Sequence, residues 1–325
     1  MVKNLKDLFK KFDDEAKCRE FLVQQRWGGV PACPYCGHTK SYKIEGGKRF
    51  KCANQTCYKK YSVTVGTVFE ASNIPLTTWL PAIYIITAHK KGISSVQLAK
   101  DLGVSQKTSW FMLHRIRESL KENHTEMLSG IVESDETYMG RKYRSDYKGI
   151  TNESEIEYKL QDKFSGKGAV MGLADRETGK IRAIRFPDNS AATVRQTIKE
   201  NVIPGSELHT DESKIYRRGL DEYIHKSVNH GKRQWVVNGV HTNHVENFWS
   251  VMKRGVYGIY HQISYKHLQA YCNEYSYRYN TRKMKDGGRF ELSLQGLEGR
   301  LTYKQLVHGK DSQEGSQEIP QTKGE

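Results

Sequence analysis

Four cysteines near the N-terminus constrain the fold of this chain more than any other feature. Two residues separate Cys33 from Cys36, four separate Cys52 from Cys57, and fifteen lie between the two pairs. This spacing is typical of a zinc ribbon, in which four thiolates bind one zinc ion tetrahedrally. Two disulfides are the alternative, which is disfavoured for a cytosolic chain whose thiols are kept reduced. The segment therefore predicts a small zinc-stabilised domain.

The residues around these cysteines predict how the ribbon is built. Segments 42–44 and 49–51 flank a glycine-containing turn, so they are expected to form a hairpin with basic edges. Residues 14–27 show helical spacing of apolar side chains, which predicts a short helix with a packing role. The two remaining cysteines, Cys18 and Cys272, are expected to be buried core thiols.

Residues 67–125 predict a helical domain. A helix over 77–90 precedes one that starts at Ser94 or Ser95, and a third, capped by Ser105, extends to about residue 120. A short turn containing glycine joins the second and third helices. This layout predicts a helix-turn-helix whose last helix enters a DNA major groove, with Gln106 and Lys107 as base or phosphate contacts. An ordinary three-helix packing module is the alternative.

Residues 126–308 predict an α/β domain. Three strands, a helix, a strand, a short helix, another strand and a further helix follow in that order, and they are expected at 131–138, 169–174, 181–186, 190–201, 207–211, 213–217, 225–229 and 243–254. This order matches an RNase H-like mixed sheet covered by helices.

Together these segments predict a multidomain protein. Its domains are an N-terminal helix with the zinc ribbon (1–66), an all-α helix-turn-helix domain (67–125), an RNase H-like catalytic domain (126–308) and a disordered tail (309–325). Residues 140–167 are charged and carry no clear period, so they are expected to form an insertion or a mobile loop.

Three acidic residues of the α/β domain are expected to converge. In an RNase H-like sheet the middle of the first strand lies beside the end of the fourth, so Asp135 and Asp211 should meet. The final helix should bring Glu246 to them. Three carboxylates suit Mg²⁺ or Mn²⁺, and a pair of such ions serves phosphoryl transfer.

A structural alternative exists for Glu246. Asn243 followed three residues later by Glu246 is the pattern of a capping box, in which the carboxylate serves only the start of the helix. Neighbouring acids Glu133, Glu136 and Glu212 are expected to be surface or turn charges rather than ligands.

The charge distribution predicts a polyanionic partner. The net charge is +15; residues 1–130 carry 21 Lys and Arg against 11 Asp and Glu, and residues 225–285 carry 10 against 2. The helix predicted over 264–280 should present Arg278, followed by Arg282, on a basic outer rim that contacts DNA backbone. A solvated basic surface is the alternative reading. The sequence lacks an apolar run long enough for a membrane and a secretion signal at its start, so a cytoplasmic location is expected.

A string of short motifs carries a family resemblance. The motifs include Cys33-Pro-Tyr-Cys-Gly37, Asp135-Glu-Thr-Tyr138, Thr210-Asp-Glu212, Glu246-Asn-Phe-Trp249 and Lys253-Arg-Gly255. In this order they resemble bacterial insertion-sequence transposases of the DDE class, in the ISXO-like group with an N-terminal zinc ribbon. The resemblance covers nearly the whole chain.

The resemblance implies a function and its residues. It implies that Asp135, Asp211 and Glu246 hold the catalytic metal ions, and that Lys253, together with Arg254, contacts transposon-end DNA. The implied activity is binding of terminal inverted repeats, cleavage that frees a 3′-hydroxyl, and joining of that end to target DNA. The expected partners are double-stranded DNA and further copies of the chain, as a dimer or larger, in the bacterial cytoplasm at the nucleoid.

Two other functions are compatible with the sequence. One is a DNA-binding regulator that kept the ribbon and the helix-turn-helix but lost its chemistry; the presence of all three acids disfavours it. The other is an RNase H-like nuclease without strand transfer, which only a test for joined products separates from a transposase.

Overall fold

A computed structural model describes residues 2–122, 126–139, 168–187, 190–216 and 218–308. The chain divides into two compact units, one of residues 1–120 with 284–325 and the other of residues 121–283. The predicted insertion at 140–167 and the predicted tail at 309–325 lie outside the described residues. Within the described ranges, no helix has the length and apolar character needed to cross a membrane.

The first unit begins with two helices and a small sheet. The elements are α1 (Leu5–Lys11), α2 (Glu15–Trp27), β1 (Ser41–Ile44), β2 (Arg49–Cys52) and β3 (Lys60–Tyr61). Asp14 caps α2 by accepting the Ala16 N–H at 3.0 Å. The three strands are antiparallel in the order β1-β2-β3, which confirms the predicted hairpin.

Three helices follow the ribbon, as the sequence predicts. They are α3 (Leu76–Ala88), α4 (Ser95–Leu102) and α5 (Gln106–Ser119). Ser94 and Ser105 cap α4 and α5 with their side chains. Gly103 ends α4 at a φ of 66°, a left-handed conformation that glycine adopts without a steric penalty. Turn chemistry and caps therefore located these helices correctly.

The second unit is built on a five-stranded sheet. Its strands are β4 (Ile131–Met139), β5 (Gly168–Asp175), β6 (Ile181–Phe186), β7 (Glu207–Thr210) and β8 (Ile224–Ser227). The order is β6-β5-β4-β7-β8, in which β4, β5 and β6 are antiparallel and β4, β7 and β8 are parallel. This is the strand order and direction of the predicted RNase H-like sheet.

Helices cover both faces of this sheet. They are α6 (Ala191–Asn201), α7 (Asn243–Gly255) and α8 (Leu268–Asn280). One apolar core joins the sheet to α6 and a second joins it to α7 and α8. The predicted apolar stripe of α7 is buried in the second core and consists of Val245, Phe248, Trp249 and Met252.

A glycine on β5 sets how closely α7 approaches the sheet. Gly172 lies opposite Asp135 in the antiparallel ladder. A Cβ atom at Gly172 would lie 2.5 Å from Val245 Cγ2 and 2.7 Å from Trp249 Cζ2, which is closer than real contacts allow. Because the position has no side chain, α7 packs directly against the strand beside Asp135.

The last two helices, α9 (Asp286–Ser293) and α10 (Tyr303–His308), belong to the first unit. The sequence predicts residues 284–308 as part of the catalytic domain, whereas in the structure they pack within the first unit. Phe290 is fully buried, with its ring centroid 6.3 Å from Phe21 on α2 and 5.9 Å from Tyr84 on α3. These aromatic partners draw the segment back to the N-terminal helices.

Candidate functional site

Two aspartates lie side by side in the second unit. The parallel pairing of β4 with β7 sets Glu133 opposite His209, so two residues further on Asp135 lies beside Asp211. Burial raises the pKa of Asp135 to about 6, and the negative charges of Asp211 and Glu246 add to this effect. Burial likewise raises the pKa of Asp211. The sheet therefore concentrates negative charge at this point.

Hydrogen bonds fix the orientation of both aspartates. Trp249 Nε1 donates to Asp135 Oδ2 at 3.0 Å, and the Ser213 backbone N–H donates to Asp211 Oδ1 at 2.9 Å. Trp249 lies on α7, so one side chain connects the central strand to this helix.

Glu246 enters the site from the first turn of α7. The Thr242 hydroxyl donates to Glu246 Oε1 at 2.7 Å, and His230 Nε2 lies 3.4 Å from the same oxygen. The side chain is 41% exposed, so it stands at the open edge of the site. The charges of Asp211 and Glu246 both act on Asp135, so the three predicted acids lie in one neighbourhood at this end of the sheet.

The capping box predicted as the alternative role of Glu246 does not form. The N-cap residue of α7 is Thr242 rather than Asn243, and it makes no side-chain capping bond. The Asn243 backbone N–H, which a capping-box glutamate would bind, instead donates to His241 Nδ1 at 3.4 Å. The carboxylate of Glu246 is therefore not used to satisfy the backbone at the start of its helix.

Glu133 takes the capping role. Its Oε2 accepts the backbone N–H groups of His244 at 2.8 Å and Val245 at 3.3 Å, and its Oε1 accepts from Arg176 Nε at 2.7 Å. The side chain is fully buried, so the prediction of a surface or turn charge was wrong. Burial acts to raise the pKa of Glu133, but bonds from His244 and Arg176 outweigh it and hold that pKa below its usual value. A carboxylate is stabilised at this helix end, where the partial charge is positive.

Glu133 also forms a close group with two histidines. His241 Nδ1 and His244 Nδ1 lie 3.1 Å and 2.8 Å from its Oε1, and all three donor atoms lie within 4.8 Å of one another. Such spacing is compatible with a metal ion, but the Arg176 guanidinium already contacts the same oxygen. Its positive charge opposes a second cation, so the group fixes α7 rather than binding metal.

The sequence could not identify this role of Glu133. Its alternation with Asp135 on β4 indicated the shared face, but its partners lie 43 residues away at Arg176 and 111 residues away at His244. The spacing of neighbouring residues in the sequence does not indicate partners this far away.

The three acids lack an Arg or Lys counter-charge of the kind Glu133 has, and the basic side chain nearest Glu246 is His230, with Nε2 3.4 Å from Oε1. Across the described ranges, no Lys or Arg forms an ion pair with Asp135, Asp211 or Glu246, in contrast to Glu133. The carboxylate oxygens of the three acids are not all within 4.8 Å of one another, whereas the donor atoms of Glu133, His241 and His244 are. Hard carboxylate oxygens are the ligands that Mg²⁺ and Mn²⁺ prefer.

The other two neighbouring acids have structural contacts. Glu136 is held in a buried environment, which raises its pKa to about 8, and it accepts a hydrogen bond from the Tyr216 hydroxyl. It is therefore not the surface charge that was predicted. Glu212 accepts the backbone N–H groups of His230 at 2.9 Å and Gly231 at 3.0 Å, which agrees with a turn role.

Five of the six predicted DNA-contact residues are accessible to some degree. On α7, Lys253 is half-buried and Arg254 exposed; Arg282 is exposed after α8, with its guanidinium 4.0 Å from the Tyr279 ring centroid. Gln106 and Lys107 are exposed at the start of α5 in the first unit. That exposure is compatible with DNA contact.

Arg278 does not lie on an outer rim. It is 5% exposed and forms an ion pair with the fully buried Glu274, one helical turn earlier. Its neighbour Tyr277 is buried as well. A buried carboxylate requires a counter-charge, and this requirement draws Arg278 into the core. The prediction of DNA contact by Arg278 was therefore wrong.

The four cysteines of the ribbon converge as predicted. Their sulfur atoms all lie within 4.8 Å of one another, with Cys33–Cys57 at 3.8 Å and Cys36–Cys52 at 3.5 Å. Tetrahedral zinc with bonds of about 2.3 Å places sulfur atoms about 3.8 Å apart. All four are free thiols, which disfavours the disulfide alternative. The Asn54 backbone N–H donates to Cys52 Sγ at 3.4 Å, as expected beside a thiolate ligand. This arrangement fits structural zinc.

Comparison with known proteins gave matches to both parts of the chain. Residues 127–280 match the ISXO2-like transposase domain, and residues 13–60 match the transposase zinc-ribbon domain. The chain is 29% identical over 260 residues to an uncharacterized protein in transposable element ISH50 of Halobacterium salinarum, covering 75% of this chain and 84% of that protein. It is 28% identical over 131 residues to an uncharacterized transposase-like protein of Haemophilus influenzae, covering 40% of this chain and 95% of that protein.

Solved structures gave weaker matches. A paired-end complex of Mos1 transposase with the left transposon end is 13% identical and covers 64% of this chain and 75% of that chain, with a TM-score of 0.28. The fold is defined by the strand order β6-β5-β4-β7-β8 and the strand directions.

Proposed function

Residues 127–280 belong to the ISXO2-like transposase domain family and residues 13–60 to the transposase zinc-ribbon family, and on that premise we propose that the chain is an active DNA transposase. It binds the terminal inverted repeats of its own insertion sequence. It cleaves phosphodiester bonds to free 3′-hydroxyl ends, and it joins these ends to target DNA.

The observation that carries this proposal is the convergence of Asp135, Asp211 and Glu246 at one end of the sheet. Two Mg²⁺ or Mn²⁺ ions bound there would activate the attacking water or 3′-hydroxyl and stabilise the leaving oxygen. Asp135 lies on β4, and Asp211 directly follows the adjacent strand β7. Glu246 approaches from α7, whose start is fixed by Glu133.

The basic residues that follow Glu246 supply the DNA contacts. Lys253 lies seven residues further along α7, about 10 Å along the helix axis and on the same side as Glu246. Together with Arg254 and Arg282 it contacts the phosphates of the transposon end. Positive charge next to the carboxylates supports this assignment because the substrate is a polyanion.

The first unit recognises the ends. Gln106 and Lys107, exposed at the start of α5, read the inverted repeat in the major groove. Since two ends must be joined to one target, the active species is a homo-oligomer, a dimer or larger. It acts in the bacterial cytoplasm on nucleoid DNA.

The test is an assay with the purified full chain, Mg²⁺ and a labelled duplex that carries the element's end. Nicked and joined products are expected, and Asp135→Asn should abolish both. Binding without cleavage would favour the regulator, because that function keeps the DNA contacts only. Cleavage without joined products would favour the nuclease.

A further inference from the structure

The loop between β8 and α7 presents an exposed aromatic ring. Trp235 is 58% exposed and Val236 beside it is 55% exposed. Lys232 and Arg233, just before them, are also exposed. Apolar side chains exposed side by side indicate a contact surface, and basic neighbours indicate a polyanion as the partner. We call residues 232–236 the Trp235 loop.

Hydrogen bonds hold this loop at both ends. At the start, Asn229 Oδ1 accepts the Lys232 backbone N–H at 2.9 Å. At the end, Val237 and Val240 exchange backbone hydrogen bonds of 3.1 Å and 2.9 Å. Arg176, the partner of Glu133, donates from Nη1 to the Gly239 carbonyl at 2.8 Å. The exposed ring is therefore carried by an organised backbone.

The ring lies next to the carboxylate site. The His230 ring centroid is 5.0 Å from that of Trp235, and His230 Nε2 is 3.4 Å from Glu246 Oε1. A single imidazole therefore separates the exposed indole from the proposed metal ligand. A DNA strand whose phosphate reaches Glu246 passes within reach of the indole.

We propose that Trp235 stacks on a nucleotide base next to the phosphate held at the carboxylates, while Lys232 and Arg233 contact the flanking phosphates. The base must be unpaired to offer its face to the indole, so the ligand is single-stranded DNA at the cleavage site. The basic neighbours and the position beside Glu246 favour DNA over a second copy of the chain as the occupant. This inference rests on the proposed function for the identity of the strand.

The experiment compares DNA binding by the full-length protein and two variants. The probe is a duplex of the element's end with 2-aminopurine, left unpaired, beside the scissile phosphate, and Ca²⁺ replaces Mg²⁺ so that the DNA stays intact. Trp235→Ala should weaken binding about 5- to 150-fold and remove the fluorescence change of the probe. Trp235→Phe should retain part of both, because it keeps an aromatic face.

Ile224→Ala is the matched control, since Ile224 is an exposed apolar residue of the same unit, on β8. It should bind the probe as the parent does. Equal binding and equal fluorescence change in Trp235→Ala and the parent would overturn the inference. So would a loss of oligomers in sedimentation with unchanged fluorescence, because Trp235 would then contact a second copy.

The two proposals fail separately. If the parent protein shows the Trp235-dependent fluorescence change but never cleaves DNA in Mg²⁺, the stacking inference stands and the proposed activity fails. If the parent cleaves and joins ends while Trp235→Ala gives an unchanged signal, the activity stands and the stacking inference fails.

Discussion

The Trp249 indole N–H and the Asp135 carboxylate are joined by a hydrogen bond of 3.0 Å. Trp249 lies on α7, three residues after Glu246, and Asp135 lies on the central strand. One bond therefore couples the helix that carries one acid to the strand that carries another. The geometry of the carboxylate site depends on how α7 is seated on the sheet.

Gly172→Ala tests that seating from the side of the sheet. The added methyl group would overlap Val245 and Trp249, and overpacking of this kind costs about 1–3 kcal/mol. We expect a lower free energy of unfolding in urea and slower cleavage, because α7 must move away from Asp135.

Gly258→Ala is the control for this substitution, since a Cβ atom there would meet nothing within 4 Å. It should unfold at the parental urea concentration. If Gly172→Ala were as stable and as active as Gly258→Ala, the close approach of α7 to β5 would not be what positions the site.

Glu133→Ala tests the cap of α7. The substitution leaves Arg176 and the N-terminal N–H groups of the helix without their buried acceptor, and breaking such a buried pair costs about 3–5 kcal/mol. Glu133→Gln keeps an acceptor oxygen, so it should cost less. Urea unfolding measures both.

The exposed pair Lys199–Glu222 provides the comparison, because its atoms are 2.7 Å apart at the surface. Glu222→Gln should leave the free energy of unfolding nearly unchanged, because exposed ion pairs contribute little to stability. A Glu133→Ala protein as stable as Glu222→Gln would show that Glu133 does not hold the helix.

The sequence predicted the elements well because their signals are local. Serine caps, the glycine at 103 and the apolar stripe of α7 each act within a few residues. The meeting of Asp135 with Asp211 was predictable because strand order fixes which strand ends are neighbours. That part of the site follows from topology.

The remaining features depend on partners that are distant or that compete for burial. Arg278 has the helical position of a surface residue, but the buried charge of Glu274 draws it inward. Phe290 joins the first unit because the aromatic rings of Phe21 and Tyr84 are there. Periodicity cannot show which of two cores a distant segment joins.

The ribbon should contain about one equivalent of zinc per chain. Protein purified without chelator is expected to release this metal when Cys52 and Cys57 are both replaced by Ser, because two of the four thiolates are then missing. Atomic absorption measures the metal. Replacing Cys18 with Ser is the control, since this thiol is buried on α2 and is not one of the four ribbon cysteines. A parent protein without zinc would contradict the assignment.

Lys107→Ala should weaken binding to the element's ends by about 1 kcal/mol or more. Parent and variant must be compared at the same salt concentration, because binding to DNA depends strongly on salt. The full chain should be used, because residues 284–308 pack within the first unit and a fragment ending near residue 125 would lack them. Lys100→Ala, an exposed lysine on α4, is the control. If Lys107→Ala and Lys100→Ala lost equal affinity for the element's ends and for random DNA, α5 would not be the helix that recognises the sequence.

The rate of end cleavage and joining by Glu246→Gln in Mg²⁺ tests the central claim most directly. The amide oxygen of Gln can still accept the Thr242 hydroxyl, so folding and end binding should persist while the loss of charge weakens metal binding. Lys253→Ala gives the contrast, because it should weaken DNA engagement and be partly rescued at higher protein concentration. We predict that Glu246→Gln is folded, binds the ends and is slower by orders of magnitude. A Glu246→Gln protein that joins ends at nearly the parental rate would contradict the assignment of Glu246 as the third metal ligand.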